Sequence, residues 1–118
     1  MKISYRDAEL LKEIRECCFR ISKTLERIQH DREIFINDND YFDSVTLKIQ
    51  LIGEYAKRLS KEYIDETSEI MNWKSIKGMR DIVAHNYNSL DPEAVWDTAV
   101  YNIPSLSAFI DDQLNKSE

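Results

Sequence analysis

The chain has 118 residues, a formal net charge of -6, two glycines and two prolines, and 32% of it is charged. This length supports one domain and leaves no room for a second, while the scarcity of helix breakers predicts an all-α fold. No apolar run approaches a membrane span, the opening "MKISYRDAELLKEIREC" lacks the pattern of a secretory leader, and the acidic balance disfavours non-specific adhesion to nucleic acid, so a cytoplasmic protein is expected.

In chain order, "SYRD" at Ser4 offers a capping box. Leu11, Ile14, Cys18, Ile21, Leu25 and Ile28 then recur at spacings of three and four and predict a long first helix. Its two cysteines, Cys17 and Cys18, point about 100° apart on that helix and have no other cysteine to pair with, so both are read as reduced packing residues. A short helical piece over Asp31 to Ile36 leads to the polar break "NDND", and Val45, Ile49, Ile52, Ala56 and Leu59 mark a second long helix. "SKEYIDETSEIMN" is read as loop with a partial turn. Asn72 caps a helix from Trp73 to about His85, with Trp73, Ile76, Met79 and Val83 on its apolar side.

Asp91 as cap, Pro92 at the first helical position and Glu93 in the first turn open a final helix that reaches about Leu114. Pro104 inside it removes a backbone donor and crowds the carbonyl four residues back, which predicts a kink or a division in two. Gly53 and Gly78 fall inside helices at a cost of about 1 kcal/mol each, so each is expected at a close helix contact. Four principal helices make an antiparallel up-and-down bundle the simplest architecture, with shorter helical segments between them. Leu10, Cys17 and Ile82 lie beyond a single apolar seam and point to a two-fold dimer.

Few patterns carry chemistry. "DNDYFD" fails as a calcium loop because Phe42 holds the fifth position and no glycine the sixth, so it is read as a solvated loop that caps the next helix. His30 and His85 have no partner at metal-ligand spacing, and two isolated glycines build neither a phosphate loop nor a dinucleotide fingerprint, so no metal or cofactor is expected. Lys74, Lys77 and Arg80 recur every three residues along one side of a helix and form the one local concentration of positive charge, with His85 beyond.

Arg80, His85 and Tyr87 remain. A histidine near a helix end can simply favour the helix dipole, and an arginine can sit in a salt bridge. The alternative is catalysis, since histidine titrates near neutrality and arginine clamps phosphate. The five-residue offset places Arg80 and His85 about 140° apart and ~7.5 Å along the axis, so they do not share one face of a regular helix. The arginine's reach closes part of that gap within one chain, and a second route is dimerisation, in which two copies of that helix face each other and share a cleft. Such a cleft suits metal-independent RNA cleavage, in which a base takes the 2′-hydroxyl proton, an acid protonates the leaving 5′ oxygen and a cation stabilises the phosphorane-like charge.

"LIGEYAKRLS", "WKSIKGMRDIVAHNYNSLDPEAVW" and "IPSL" together resemble the HepT family of HEPN-domain ribonuclease toxins, partners of MNT-type nucleotidyltransferase antitoxins. The resemblance spans roughly Asp40 to Leu114. It implies a homodimer that cleaves RNA, with Arg80 and His85 as the ribonuclease motif, and Tyr87 as the residue that the antitoxin adenylylates. Lys74, Lys77, Asp81 and Asn86 are the accompanying candidates for RNA contact, Asp81 at the family's variable polar position. Glu54 either orients Arg80 or makes a surface salt bridge. Two departures stand outside the motif: Tyr55 replaces a small residue after "IGE", and "EIMNW" replaces a proline-containing approach to the tryptophan. The rival readings are a non-catalytic HEPN module that binds RNA, a nucleotide or the antitoxin, and a purely structural dimerisation bundle.

Overall fold

The computed structural model describes residues 2–86 and 90–117, with the side chains of residues 81–86 outside that description. Its elements are α1 (Tyr5–Arg27), α2 (Arg32–Asn37), α3 (Asn39–Lys57), α4 (Lys61–Thr67), α5 (Trp73–Asn86), α6 (Pro92–Asp97), a π-helical turn (Thr98–Asn102) and α7 (Ile103–Lys116). No strand occurs among the described residues, and no helix there is long and apolar enough to cross a membrane. The all-α expectation is met.

The three-and-four spacing of α1 works as read: Leu11, Ile14, Cys18, Ile21, Leu25 and Ile28 are all buried. So are Val45, Ile49, Ile52, Ala56 and Leu59 from α3 and its end. These two stripes face each other, because α3 packs against α1 on one side and α5 on the other, while α7 closes onto α1. Each fully buried aliphatic side chain contributes about 1.5–3 kcal/mol, so the paired stripes dominate the stability of the bundle.

Leu10 and Cys17 do not serve as a second, outward seam. Both are buried within the chain itself, because α1 is covered on two sides, by α3 and α7. The dimer argument drawn from them is withdrawn, and the side chain of Ile82, the third residue in that argument, lies outside the described residues.

The "SYRD" capping box forms by half. Ser4 Oγ accepts the Asp7 N–H at 3.1 Å, but the Asp7 carboxylate turns away to accept the Ser60 N–H at 2.9 Å and the Ser60 hydroxyl at 2.6 Å. Ser60 is itself the cap of α4, its Oγ accepting the Tyr63 N–H at 3.2 Å. The segment read as loop is therefore a two-turn helix tied to α1. Below about 12 residues a helix is marginal alone, and α4 depends on such ties. The Tyr63 hydroxyl donates to Gln113 Oε1 at 3.0 Å, and its ring packs 6.1 Å from that of Trp73.

The six-residue α2 is held in the same way. Asp31 caps it, and Phe35, fully buried, meets the rings of Trp96 at 5.3 Å and Phe42 at 6.0 Å. Only Asp38 separates α2 from α3, so "DNDYFD" caps the next helix as read but is mostly helix rather than loop. Gln29 and His30 supply the turn before α2, both at φ 55, a left-handed conformation that residues with a Cβ adopt at a cost.

Asp91, Pro92 and Glu93 open α6 as the sequence predicts, with Asp91 accepting the Glu93 N–H at 3.0 Å. The final helix is divided ahead of Pro104 as expected, by a widened turn rather than a loop. The backbone widens into the π turn just before it, with the Ile103 N–H bonded to the Thr98 carbonyl, and Pro104 then sits in the first turn of α7. That extra residue relieves the crowding of the carbonyl that the ring would otherwise strike.

Candidate active site

The site is built on α5. Asn72 Oδ1 accepts the Ser75 N–H at 3.1 Å, and the Trp73 indole N–H donates to Thr67 Oγ1 at 2.8 Å, so the start of the helix is capped and anchored together. Trp73 and Ile76 are buried, Met79 partly so, and this apolar side holds α5 on the bundle. The helix continues without interruption through Arg80 and His85 to Asn86.

Gly53 explains how closely α5 approaches α3. A Cβ at Gly53 would lie 2.7 Å from the Arg80 backbone nitrogen and 2.8 Å from Arg80 Cβ, distances that no side chain tolerates. The close contact expected there exists, and it falls on the arginine of the motif. Gly78 is different: nothing described lies within 4 Å of a Cβ built there, so the expectation of a close contact fails. Gly78 faces open space because the packed side of α5 is occupied by its apolar stripe.

Beside Gly53, Glu54 reaches across to Arg80, and its Oε1 accepts a charge-assisted hydrogen bond from Arg80 Nε. The two side chains retain 41% and 34% of their exposure, so solvent screening limits the pair to under about 1 kcal/mol of stability. Its larger effect is directional, since a bond at Nε fixes the plane of the guanidinium. The partner of Glu54 is Arg80, in a partly exposed ion pair that fits either reading of Glu54.

Lys74 is exposed and Lys77 half-buried on the preceding turns, and neither forms an ion pair with a described residue. The chain thus brings Lys74, Lys77 and Arg80 onto successive turns of one helix and joins Arg80 to Glu54 of another. Asp81, His85 and Asn86 belong to α5 by backbone, but their side chains lie outside the described residues, and so does Tyr87 altogether. Among the described residues, no group of three His, Cys, Asp or Glu side chains gathers where it could hold a metal ion.

Among the described residues, a wide groove lies away from this site. It has a volume of about 670 Å³ between α1 and α7, lined by Phe19, His30, Val100 and Pro104 among others, and no described residue of α5 borders it. A surface that receives a polymer backbone needs exposed charge more than enclosure. One contributor escaped the sequence reading: Asp7, whose only local signal, the capping box, points to Ser4 rather than to Ser60 and the α4 region that leads into α5.

Comparison with known proteins gives the family of the chain. The family described as ribonuclease HepT-like matches residues 14–112. A protein of Caldanaerobacter subterraneus subsp. tengcongensis that bears a ribonuclease name is 31% identical over 106 residues, covering 89% of this chain and 90% of its own. A Thermococcus cleftensis protein named for ribonuclease HepT is 30% identical over 115 residues, covering 90% and 92%. A Methanocaldococcus jannaschii protein, also bearing a ribonuclease name, is 37% identical over 76 residues, covering 64% and 65%. No solved structure matches. The matched span takes in α3 and α5 with the Gly53, Glu54 and Arg80 contact, and the chain belongs to the HepT-like ribonuclease family.

Proposed function

We propose that this protein is a metal-independent endoribonuclease toxin, acting as a homodimer in the cytoplasm and silenced by an MNT-type nucleotidyltransferase antitoxin. The observation that carries the reading is the placement of Arg80: on the helix that also carries His85, pressed against Gly53 and oriented by Glu54. An arginine held in this way is a ready clamp for a phosphate whose charge grows during cleavage.

In the proposed reaction His85 takes the proton of the 2′-hydroxyl, and the 2′ oxygen attacks the adjacent phosphorus. The phosphorane-like charge is met by Arg80, the bond to the 5′ oxygen breaks, and an acid returns a proton to that leaving oxygen. The second protomer's His85 is the natural acid, because two copies of α5 across a two-fold axis supply two histidines to one cleft. The products are a 2′,3′-cyclic phosphate, or its hydrolysed form, and a 5′-hydroxyl. Lys74 and Lys77 would hold neighbouring phosphates, with Asp81 and Asn86 beside the motif as further RNA contacts. Glu54 acts through Arg80, as a positioning residue.

Tyr87 is proposed as the acceptor of the adenylyl group. A nucleotide attached two residues after His85 places a bulky anion where an RNA phosphate should bind, and repels it. A second reading, a non-catalytic module, draws its support from the net charge of -6, which favours a protein partner over RNA.

Cleavage of RNA by purified protein, with and without EDTA, separates the two. His85→Ala and Arg80→Ala should each abolish cleavage while the circular dichroism spectrum stays helical, and EDTA should change nothing. Glu54→Gln should lower the rate about tenfold with under about 1 kcal/mol lost from stability. Cleavage that survives His85→Ala and stops with EDTA would overturn the mechanism, and none from the native protein would favour the module. For regulation, co-expression with the antitoxin and peptide mapping should find the adenylyl increment on Tyr87, and Tyr87→Phe should escape silencing with cleavage intact.

A further inference from the structure

A second groove, of about 490 Å³, lies where the start of α1 meets the end of α3, lined by Tyr5, Arg6, Glu9, Glu13, Tyr55 and Arg58. Tyr5, at the first position of α1, is 81% exposed, so its ring face is open to a ligand in the groove. Tyr55 packs partly against the core and leaves the rest of its ring in the groove. Neither arginine is neutralised. Arg15, Arg20, Arg32 and Arg80 each meet a carboxylate, whereas Arg6 and Arg58, like Arg27 elsewhere on α1, form no ion pair with a described residue; Arg6 and Arg58 are the two that share a groove, with Glu9 and Glu13. In a chain of net charge -6, an arginine left without a carboxylate is available to an outside anion.

The groove lies at the end of the helix that carries Glu54. Arg58 follows Glu54 by four residues, so it stands ~6 Å further along α3 and about 40° around it, between the direction of Glu54 and that of Tyr55 at about 100°. Along α3 the order is therefore Glu54, then Tyr55, then Arg58 just past its end, with Tyr5 of α1 across the groove.

We infer that this groove is a nucleotide subsite for a single-stranded segment of the RNA flanking the cleaved bond. The inference rests on the ribonuclease reading above. The phosphate lies on Arg58 and Arg6, and an unpaired base stacks on the exposed face of Tyr5 with Tyr55 as its floor. Glu9 and Glu13, on the α1 wall, repel a second phosphate and so keep the backbone on the α3 side. Aromatic rings accept any base by stacking, and arginine holds phosphate through paired N–H groups, which is the pattern by which single strands are gripped.

The test uses a fluorescent 2′-O-methyl RNA, which lacks the attacking hydroxyl, and fluorescence anisotropy with the full chain across a series of salt concentrations. Tyr5→Ala should weaken binding about five- to tenfold without altering the slope of log affinity against log salt, and Tyr5→Phe should bind like the native chain. Arg6→Gln and Arg58→Gln should each lower that slope by about 0.7, the mark of one lost phosphate contact on a single strand. All three sites are exposed, and thermal melts should be unchanged. Native affinity in every variant, with cleavage of ordinary RNA intact, overturns the subsite and leaves the ribonuclease reading standing. Absence of both binding and cleavage in the native protein overturns both. Loss of self-association in the variants with unchanged RNA affinity makes the groove a protein interface and rejects the subsite.

Discussion

The two glycines, equivalent by sequence, part company once their surroundings are known. Gly53→Ala must push its new methyl against the Arg80 backbone, and backbone cannot swing aside as a side chain can. The substitution should cost about 1–3 kcal/mol and move the arginine, so urea unfolding and RNA cleavage should both suffer. Gly78→Ala meets nothing described and stands inside a helix, so it should stabilise by about 0.5–1 kcal/mol. If both substitutions destabilise alike, the packing contrast is wrong. The cysteines yield a second expectation. Burial, and then the neighbouring Cys17, push the Cys18 thiol up to about 12 from an ordinary 9.0, and burial followed by the Asp7 charge raises the Tyr63 phenol from an ordinary 10.0. Below about pH 9 folded and unfolded chains hold these protons equally. Above it the unfolded chain releases protons that the folded chain retains, so stability should fall steadily towards pH 12. Urea midpoints at pH 8 and pH 10.5, with a shallower fall in Cys18→Ala, would check this.

At the scale of elements, the long helices were legible because their periodicity is local information. The start of α6 was legible too, since Asp91, Pro92 and Glu93 carry its whole signal. What stayed hidden were elements and contacts held from a distance. α4 has too few apolar positions to declare itself, and its cap depends on Asp7, 53 residues earlier in the chain. The Arg80 and Glu54 bond spans 26 residues, and no spacing rule on one helix reveals a partner on another; only the family resemblance brought Glu54 into view. Asp7→Ala tests this account of α4. It removes a buried carboxylate that accepts two hydrogen bonds and leaves the Ser60 N–H without an acceptor, so it should cost about 2–4 kcal/mol. Hydrogen exchange should speed first at the α4 amides. Uniform acceleration across α1 and α3 instead would show that Asp7 serves the bundle rather than α4.

For the whole molecule, the question is whether one copy suffices. Arg80 and His85 stand on the same regular helix, five residues apart, and on such a helix those positions diverge by about 140°. In the proposed dimer the two halves of the motif come from opposite copies. Sedimentation at micromolar concentration should show a two-fold species. Adding His85→Ala protein to the native chain should lower cleavage more steeply than the native fraction alone predicts, since a mixed dimer holds only one of the two histidines the cleft uses. A strictly monomeric protein that still cleaves RNA would reject the composite cleft.

The π turn ahead of Pro104 carries a historical consequence. The extra residue and the proline depend on each other, and the order in which a lineage acquires them matters. Proline arriving first would meet a tight α-helical carbonyl and cost about 3 kcal/mol, whereas after the widened turn it enters almost without penalty. The path can be walked backwards in the laboratory. Deleting Tyr101, whose side chain is exposed, should close the turn and destabilise the protein by about that amount. The same deletion combined with Pro104→Ala should recover most of the loss, so an ancestor with one residue fewer in this turn and no proline there would have been a viable starting point.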